Sequence, residues 1–187
     1  MIKVLLYLLH ICLITHKNEL NRKETNTGQI VLSESNKHQY DTSIIPWGGR
    51  DDNDVIDQAI KSFTRTPTLL WTTSNNNNNT NSSPIIEKND DPIYIVLDGT
   101  WQEAEKIYRS GPLSLRHLPK LFIASSNPTR YNLRKNYGYK NKYDTTNNNN
   151  LLCTAEICAE ILLKEEGIDS IAARDIILAL DNFQKRL

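Results

Sequence analysis

Asp98-Gly99-Thr100-Trp101 is the place in this chain where chemistry is easiest to locate. It directly follows Ile93–Leu97 (IYIVL), the clearest strand in the sequence. A short, continuously apolar run of this kind reads as a strand buried on both faces. Asp98 then falls at the carboxyl end of a strand, where open α/β sheets bind their ligands. Gly99 lets the backbone turn there and lets a ligand come close. A carboxylate in that position can act as a base or orient a substrate. It can equally do no more than help cap the helix that begins at Thr100. Thr100-Trp101-Gln102-Glu103 has the form of a capping box, with hydroxyl and carboxylate each closing a backbone amide. Trp101 opens the apolar face of that helix, so burial in the core is its simplest reading. A ring stacked on a nucleobase is the other.

The segment Thr129–Tyr143 is basic and aromatic. It carries Arg130, Arg134, Lys135, Lys140 and Lys142 with no acidic residue, interleaved with Tyr131, Tyr137, Tyr139 and Tyr143. Cations for phosphates and rings for bases suit a single-stranded RNA surface. The plainer reading is a solvated loop. His16 and Glu19 form H-x-x-E, which can put two metal ligands on one helical face, but two ligands are not a site. Asn26-Thr27-Gly28 can offer amides and a hydroxyl to a small polar ligand. Glu156, Glu160 and Lys164 stand at i, i+4 and i+8, the pattern of a solvated helical stripe with one Glu–Lys pair.

The elements that would position these residues alternate. Ile2–Leu9 reads as a buried strand, Asn18–Gly28 as a polar loop, and Tyr40–Ile45 as a short strand stopping at Pro46. Val55–Phe63 has helical spacing, and Thr68–Trp71 is β-prone. The helix after Asp98 ends near Gly111-Pro112, and Leu121–Ala124 is a further short strand. Leu151–Glu165 and Ser170–Leu187 are helices with apolar faces at Leu151, Ala155, Cys158, Leu162 and at Ala172, Ile176, Leu180, Phe183, Leu187. Strands alternating with helices predict an α/β fold with a mostly parallel sheet.

Composition sets the outer limits. The chain has 187 residues, of which 39% are hydrophobic. Asparagine accounts for 21 positions, nine of them in the runs Asn75–Asn79 and Asn147–Asn150. Residues 74–91 and 144–150 are low-complexity insertions expected to be disordered, within one domain spanning 1–187. Lys and Arg number 22, as do Asp and Glu, which excludes a histone-like or strongly acidic chain but not a local basic patch. The cysteines, Cys12, Cys153 and Cys158, fit neither a disulfide framework nor a zinc finger. Val4–Thr15 is apolar enough to suggest a signal peptide, yet a buried strand has the same appearance.

In order along the chain, these motifs resemble the DTW-domain family, the tRNA-uridine aminocarboxypropyltransferases. The matching elements are His16-x-x-Glu19, the Asn26-Thr27-Gly28 loop, Asp98-Gly99-Thr100-Trp101 with Ala104, Arg116-His117-Leu118-Pro119, Tyr131-x-Leu133-Arg134 and Cys153-Thr154-Ala155-Glu156. The resemblance covers roughly residues 2 to 165. It implies a SPOUT-like fold: a mostly parallel sheet flanked by helices, with a knotted carboxyl-terminal part. It implies S-adenosylmethionine as donor of a 3-amino-3-carboxypropyl group, and N3 of a uridine in tRNA as acceptor. Asp98, with Thr100 and Trp101, would then form the catalytic centre. Asn26, Thr27, Gly28, Gly99, Thr154 and Glu156 would bind the donor. Arg130, Tyr131, Arg134, Lys135, Lys140 and Lys142 would meet RNA, and no metal or membrane is expected. A related transferase acting on ribosomal RNA, and an inactive RNA-binding relative, are the alternatives. Two departures stand out. The family's amino-terminal cysteine cluster is absent, and Thr72-Thr73-Ser74 occupies the place of a Y-P-G element. Because the family has a buried strand at Ile2–Leu9, the resemblance also argues against secretion and for a cytoplasmic or nuclear protein.

Overall fold

The protein is described here as a computed structural model covering residues 9–22, 26–38, 40–72, 91–123, 130 and 152–186. Its elements, in chain order, begin with β1 (Leu9–His16), α1 (Lys17–Asn21), α2 (Gly28–Ser35) and β2 (Tyr40–Trp47). A 3₁₀ turn at Arg50–Asp52 leads into α3 (Asn53–Ser62) and β3 (Thr68–Thr72). Then come β4 (Ile93–Asp98), α4 (Trp101–Ser110), α5 (Leu113–His117) and β5 (Lys120–Ile123). The last two helices are α6 (Thr154–Glu166) and α7 (Ile171–Gln184).

The five strands form one sheet in the order β2-β1-β4-β3-β5, with every pairing parallel. Side chains alternate across it, so each strand feeds two cores. Leu9, Ile11 and Leu13 of β1 with Tyr94 and Val96 of β4 face α2, α6 and α7, meeting Val31, Ile161 and Ile176. Cys12 and Ile14 with Ile95 and Leu97 face the other way, onto Ile56 of α3, Ile107 of α4 and Leu115 of α5. Burial on both faces is why β1 and β4 carry unbroken apolar runs rather than alternating ones.

Helix α2, on the way from β1 to β2, therefore lies on one face of the sheet and α4, following β4, on the other, although β1 and β4 are neighbours. That reversal makes β1 and β4 the switch point of the sheet, and the crevice at the carboxyl ends of such strands is where doubly wound sheets take ligands.

Several expectations shift. The described amino-terminal strand is Leu9–His16, so the apolar run of β1 is spent in the centre of the sheet; of the expected Ile2–Leu9, all but Leu9 lies outside the described residues. Asn18–Gly28 is not a plain loop: it holds most of α1 and the first residue of α2. Helix α2 has few apolar residues to mark it, chiefly Ile30, Val31 and Leu32, and α5 is a single short segment. Strand β2 runs through Pro46 to Trp47. It is an edge strand, where a missing N–H costs no ladder bond on the open side. Glu156 does not belong to a solvated stripe; it is buried at the start of α6. The two low-complexity tracts and all of Thr129–Tyr143 except Arg130 lie outside the described residues, apart from Asp91.

Candidate active site

Asp98 ends β4 opposite Thr15 of β1, its register partner. Its side chain is 2% exposed. Oδ2 accepts a hydrogen bond from the Thr15 hydroxyl at 3.1 Å, and Oδ1 accepts one from the Thr154 hydroxyl at 2.6 Å. Thr154 is the first residue of α6, and Gly28, the first residue of α2, also lies against this carboxylate. A Cβ built on Gly28 would stand 2.7 Å from Asp98 Oδ2. The helix termini and hydroxyls together offset the cost of holding a carboxylate away from water.

The Asn26-Thr27-Gly28 loop is shaped by its own side chains. Asn26 Oδ1 accepts from the Gly28 N–H at 2.8 Å, and Asn26 Nδ2 donates to the Glu19 carbonyl at 3.1 Å. Asn26 is thus used internally to fix the close approach of Gly28. The Thr27 side chain makes no cap bond to α2.

On the far side of Asp98 the same site is wired by charge. Arg22 clamps Glu103 with both terminal nitrogens at 3.0 Å and also reaches Glu19 at 3.0 Å. Glu103 closes the capping box of α4 through the Thr100 N–H and hydroxyl, both at 2.9 Å. Burial pushes the Glu103 carboxyl up, but the Thr100 donors and the Arg22 guanidinium outweigh it and hold the group below its ordinary range. Glu19 goes the other way: burial, and then the charge of Asp98, raise it despite Arg22. His16 caps α1, accepting at Nδ1 from the Asn18 N–H. Its proton therefore sits on Nε2, which is buried without a hydrogen-bond partner among the described residues. Burial lowers the pKa of His16.

A pocket opens beside Asp98 at the carboxyl ends of β3 and β4. It is lined by Leu70 and Trp71 of β3, Gly99 and Trp101 at the start of α4, and Leu152 and Thr154 at the start of α6, among others. Trp71 and Trp101 meet edge to face at 6.1 Å, and Tyr108 backs Trp71 at 4.8 Å. The lining is apolar and aromatic, with Thr154 as its polar member next to Asp98.

The structure thus brings together Asp98, Gly99, Thr100, Trp101, Thr154 and the Asn26–Gly28 loop. Trp101 is half-buried on the pocket wall instead of deep in the core. Glu156 is directed elsewhere. Its carboxylate accepts from the Cys153 N–H at 2.7 Å and the Arg130 N–H at 2.5 Å, so it closes the start of α6 instead of facing the pocket. Arg130 holds its guanidinium 3.9 Å from Asp181 of α7. Tyr131, Arg134, Lys135, Lys140 and Lys142 lie outside the described residues. Sequence reasoning passed over Thr15 and Trp71. The signal for each was available: a polar residue near the end of an apolar strand, and an aromatic near the end of another.

Among the described residues no helix is long and apolar enough to cross a membrane. No curated protein and no solved structure matches this chain significantly. The family model of the DTW domain, by contrast, matches residues 2–187, from before β1 to beyond α7, and the chain belongs to the DTW domain family.

Proposed function

We propose that the protein transfers a 3-amino-3-carboxypropyl group from S-adenosylmethionine to N3 of a uridine in tRNA, on a SPOUT-like scaffold with a knotted carboxyl-terminal part. The observation that supports it most is the placement of Asp98. It is a buried carboxylate at the crevice of a parallel sheet, one hydroxyl removed from an aromatic-lined pocket. A pocket walled by Leu70, Trp71, Trp101 and Leu152 suits a flat heteroaromatic ring. The donor supplies an electrophilic methylene beside its sulfonium, whose C–S bond breaks as the N–C bond forms.

The chain's own task is to handle the N3 proton and fix the geometry. The Thr154 hydroxyl gives its proton to Asp98, so the lone pairs left on Oγ1 are its means of receiving another. In the proposed step the N3–H donates to Thr154 Oγ1 while the Thr154 proton moves to Asp98 Oδ1. Asp98 then acts through Thr154, as orienter and final proton holder. The Thr15 hydroxyl and Gly28 keep it in place. Trp101 and Trp71 hold the ring, with Gly99 beside them on the pocket wall. Rigid placement of both reactants supplies the larger part of such a rate. The basic segment with Arg134 and Lys135 serves RNA, and the compartment is the cytoplasm or nucleus.

Mass spectrometry of nucleosides from tRNA incubated with protein and donor tests the reading. The expected product is uridine heavier by the aminocarboxypropyl group. A methylated nucleoside, or none, overturns it. Thr154→Val removes the relay hydroxyl and should abolish transfer. Thr154→Ser keeps the hydroxyl and should retain most of it, and equal activity in all three proteins would remove Thr154 from the mechanism.

A further inference from the structure

A second constellation lies apart from the crevice, on the face of the sheet covered by α2, α6 and α7. Glu34 is in the last turn of α2, His38 follows it by four residues, and Asp175 projects from α7. One ligand atom from each residue lies within 4.8 Å of those of the other two. The backbone holds the first two in fixed relation, because the chain leaves α2 in a tight turn with Lys37 N–H on the Glu34 carbonyl and His38 N–H on the Ser35 carbonyl. The His38 ring is stacked on Tyr40 at 10° between planes. Tyr40 is itself anchored by its hydroxyl on the Val31 carbonyl.

Two distances turn this cluster into a candidate site. His38 Nε2 lies at ion-pair distance, 3.2 Å, from Asp175 Oδ2, yet it is buried and makes no hydrogen bond among the described residues. Close approach without hydrogen-bond alignment is what two ligands of one ion show. A tetrahedral Zn²⁺ with bonds of about 2.0–2.1 Å places its ligands about 3.3–3.4 Å apart. The third partner, Glu34, is a buried carboxylate held by Lys37 at 2.8 and 3.0 Å. The Lys37 side chain is 61% exposed, so it can swing into solvent when a doubly charged ion takes its place. Imidazole with two carboxylates is a donor set for a borderline cation, with a water completing four ligands.

We propose that Glu34, His38 and Asp175 bind a divalent transition metal, Zn²⁺ by donor chemistry, fastening the end of α2 to α7. The site runs against the sequence expectation of no metal. Its residues are 141 positions apart at the extremes (34 to 175), so no local spacing announces it. It does not depend on the catalytic reading, since none of its ligands touches Asp98 or the pocket.

The test uses the full chain, stripped with a chelator and titrated with Co²⁺ and with Zn²⁺. Tetrahedral Co²⁺ should give intense visible d–d bands at one equivalent, bleached by Zn²⁺, and Zn²⁺ should raise the melting temperature. His38→Gln and Asp175→Asn should each weaken binding more than about 100-fold, beyond what losing a mere supporting group costs. Lys37→Ala should tighten binding about fivefold, what an exposed ion pair at the top of its usual range is worth. Absence of the bands overturns the proposal. So does binding unchanged in either ligand variant, which would place the metal elsewhere in the chain. Unchanged or weaker binding in Lys37→Ala would remove Glu34 and with it the three-residue site.

Discussion

Gly28→Ala is the most economical probe of how Asp98 is held. An alanine is ordinarily favoured over glycine within a helix by about 1 kcal/mol, and by less in its first turn. Here the added Cβ would stand 2.7 Å from Asp98 Oδ2, 3.0 Å from Asn26 Oδ1 and 3.1 Å from Asp98 Cγ. A clash with the end of a flexible surface side chain would be relieved by rotation. Asp98 has no such freedom, being buried and bonded to Thr15 and Thr154. Asn26 is likewise tied at both ends of its amide. Overpacking of a fixed site costs about 1–3 kcal/mol. Set against the propensity gain, the net loss is about 1–2 kcal/mol, or about 3–6 °C in melting temperature for a domain of this size. Gly49→Ala is the control, because a Cβ there meets nothing within 4 Å. Its change should stay within about 0.5 kcal/mol. Turnover in Gly28→Ala should fall much further than stability, since displacement of a fixed group by about 1 Å can cost about 100-fold. Paired thermal melts and transfer assays decide the matter. A Gly28→Ala protein as stable and as active as the parent would show that Asp98 is not held as described.

Other perturbations read different parts of the same structure. Burial lowers His16 and, more weakly opposed by Asp41, His10 below the ordinary 6.5, so the folded protein binds fewer protons than the unfolded chain just below that pH. Stability from these groups is complete above about pH 6.5 and is lost as pH falls through their folded values; His16→Gln should flatten that acid slope in denaturant titrations, and an unchanged slope would clear His16 of the effect. Asp98→Asn should cost about 1–3 kcal/mol by disturbing a buried acceptor of two hydroxyls, together with loss of transfer, whereas a fully stable but inactive variant would mean the hydroxyls re-pair without cost. Replacing Lys135, Lys140 and Lys142 by Ser should reduce the salt dependence of tRNA binding by up to about three phosphate contacts while leaving donor binding unchanged, and an identical salt slope would place the docking face elsewhere.

The sequence made the frame legible wherever one signal dominated. Ile93–Leu97 is apolar throughout because both faces of β4 are covered, and Asp98 ends that run because a charge can be accommodated only where strand gives way to helix termini. The Thr100–Glu103 capping box is local chemistry and appears as read. What was not legible depends on contacts between distant segments. Helix α2 is short and weakly patterned; it exists because Ile30 and Val31 pack against α7 and the sheet. Glu156 looked like a stripe member because i, i+4 spacing cannot distinguish a solvated carboxylate from one that caps its own helix. Strand β1 continues to His16, past the expected end at Leu9, because the apolar run extends that far, and only pairing with β2 and β4 sets its register.

Those distant contacts also bear on how Asp98 can work. A carboxylate open to solvent at a strand end would be free to meet a substrate directly, but it would also be free to move. Asp98 instead joins four elements: β4 by its backbone, β1 through Thr15, α6 through Thr154 and α2 through the contact with Gly28. Of these neighbours, Thr154 also borders the aromatic pocket. In the proposed function, the Thr154 hydroxyl, which meets both the carboxylate and the pocket, is the carboxylate's route to a bound ring. This explains why a D-x-T-W element and a T-x-E element, 56 residues apart, belong to one site. The carboxylate of the first fixes the hydroxyl of the second, and Glu156 of the second fixes the helix that carries that hydroxyl. Under the proposed function this is a division of labour: Trp101 and Trp71 would select what enters, Thr154 would touch it, and Asp98 would set where Thr154 stands and where its proton goes.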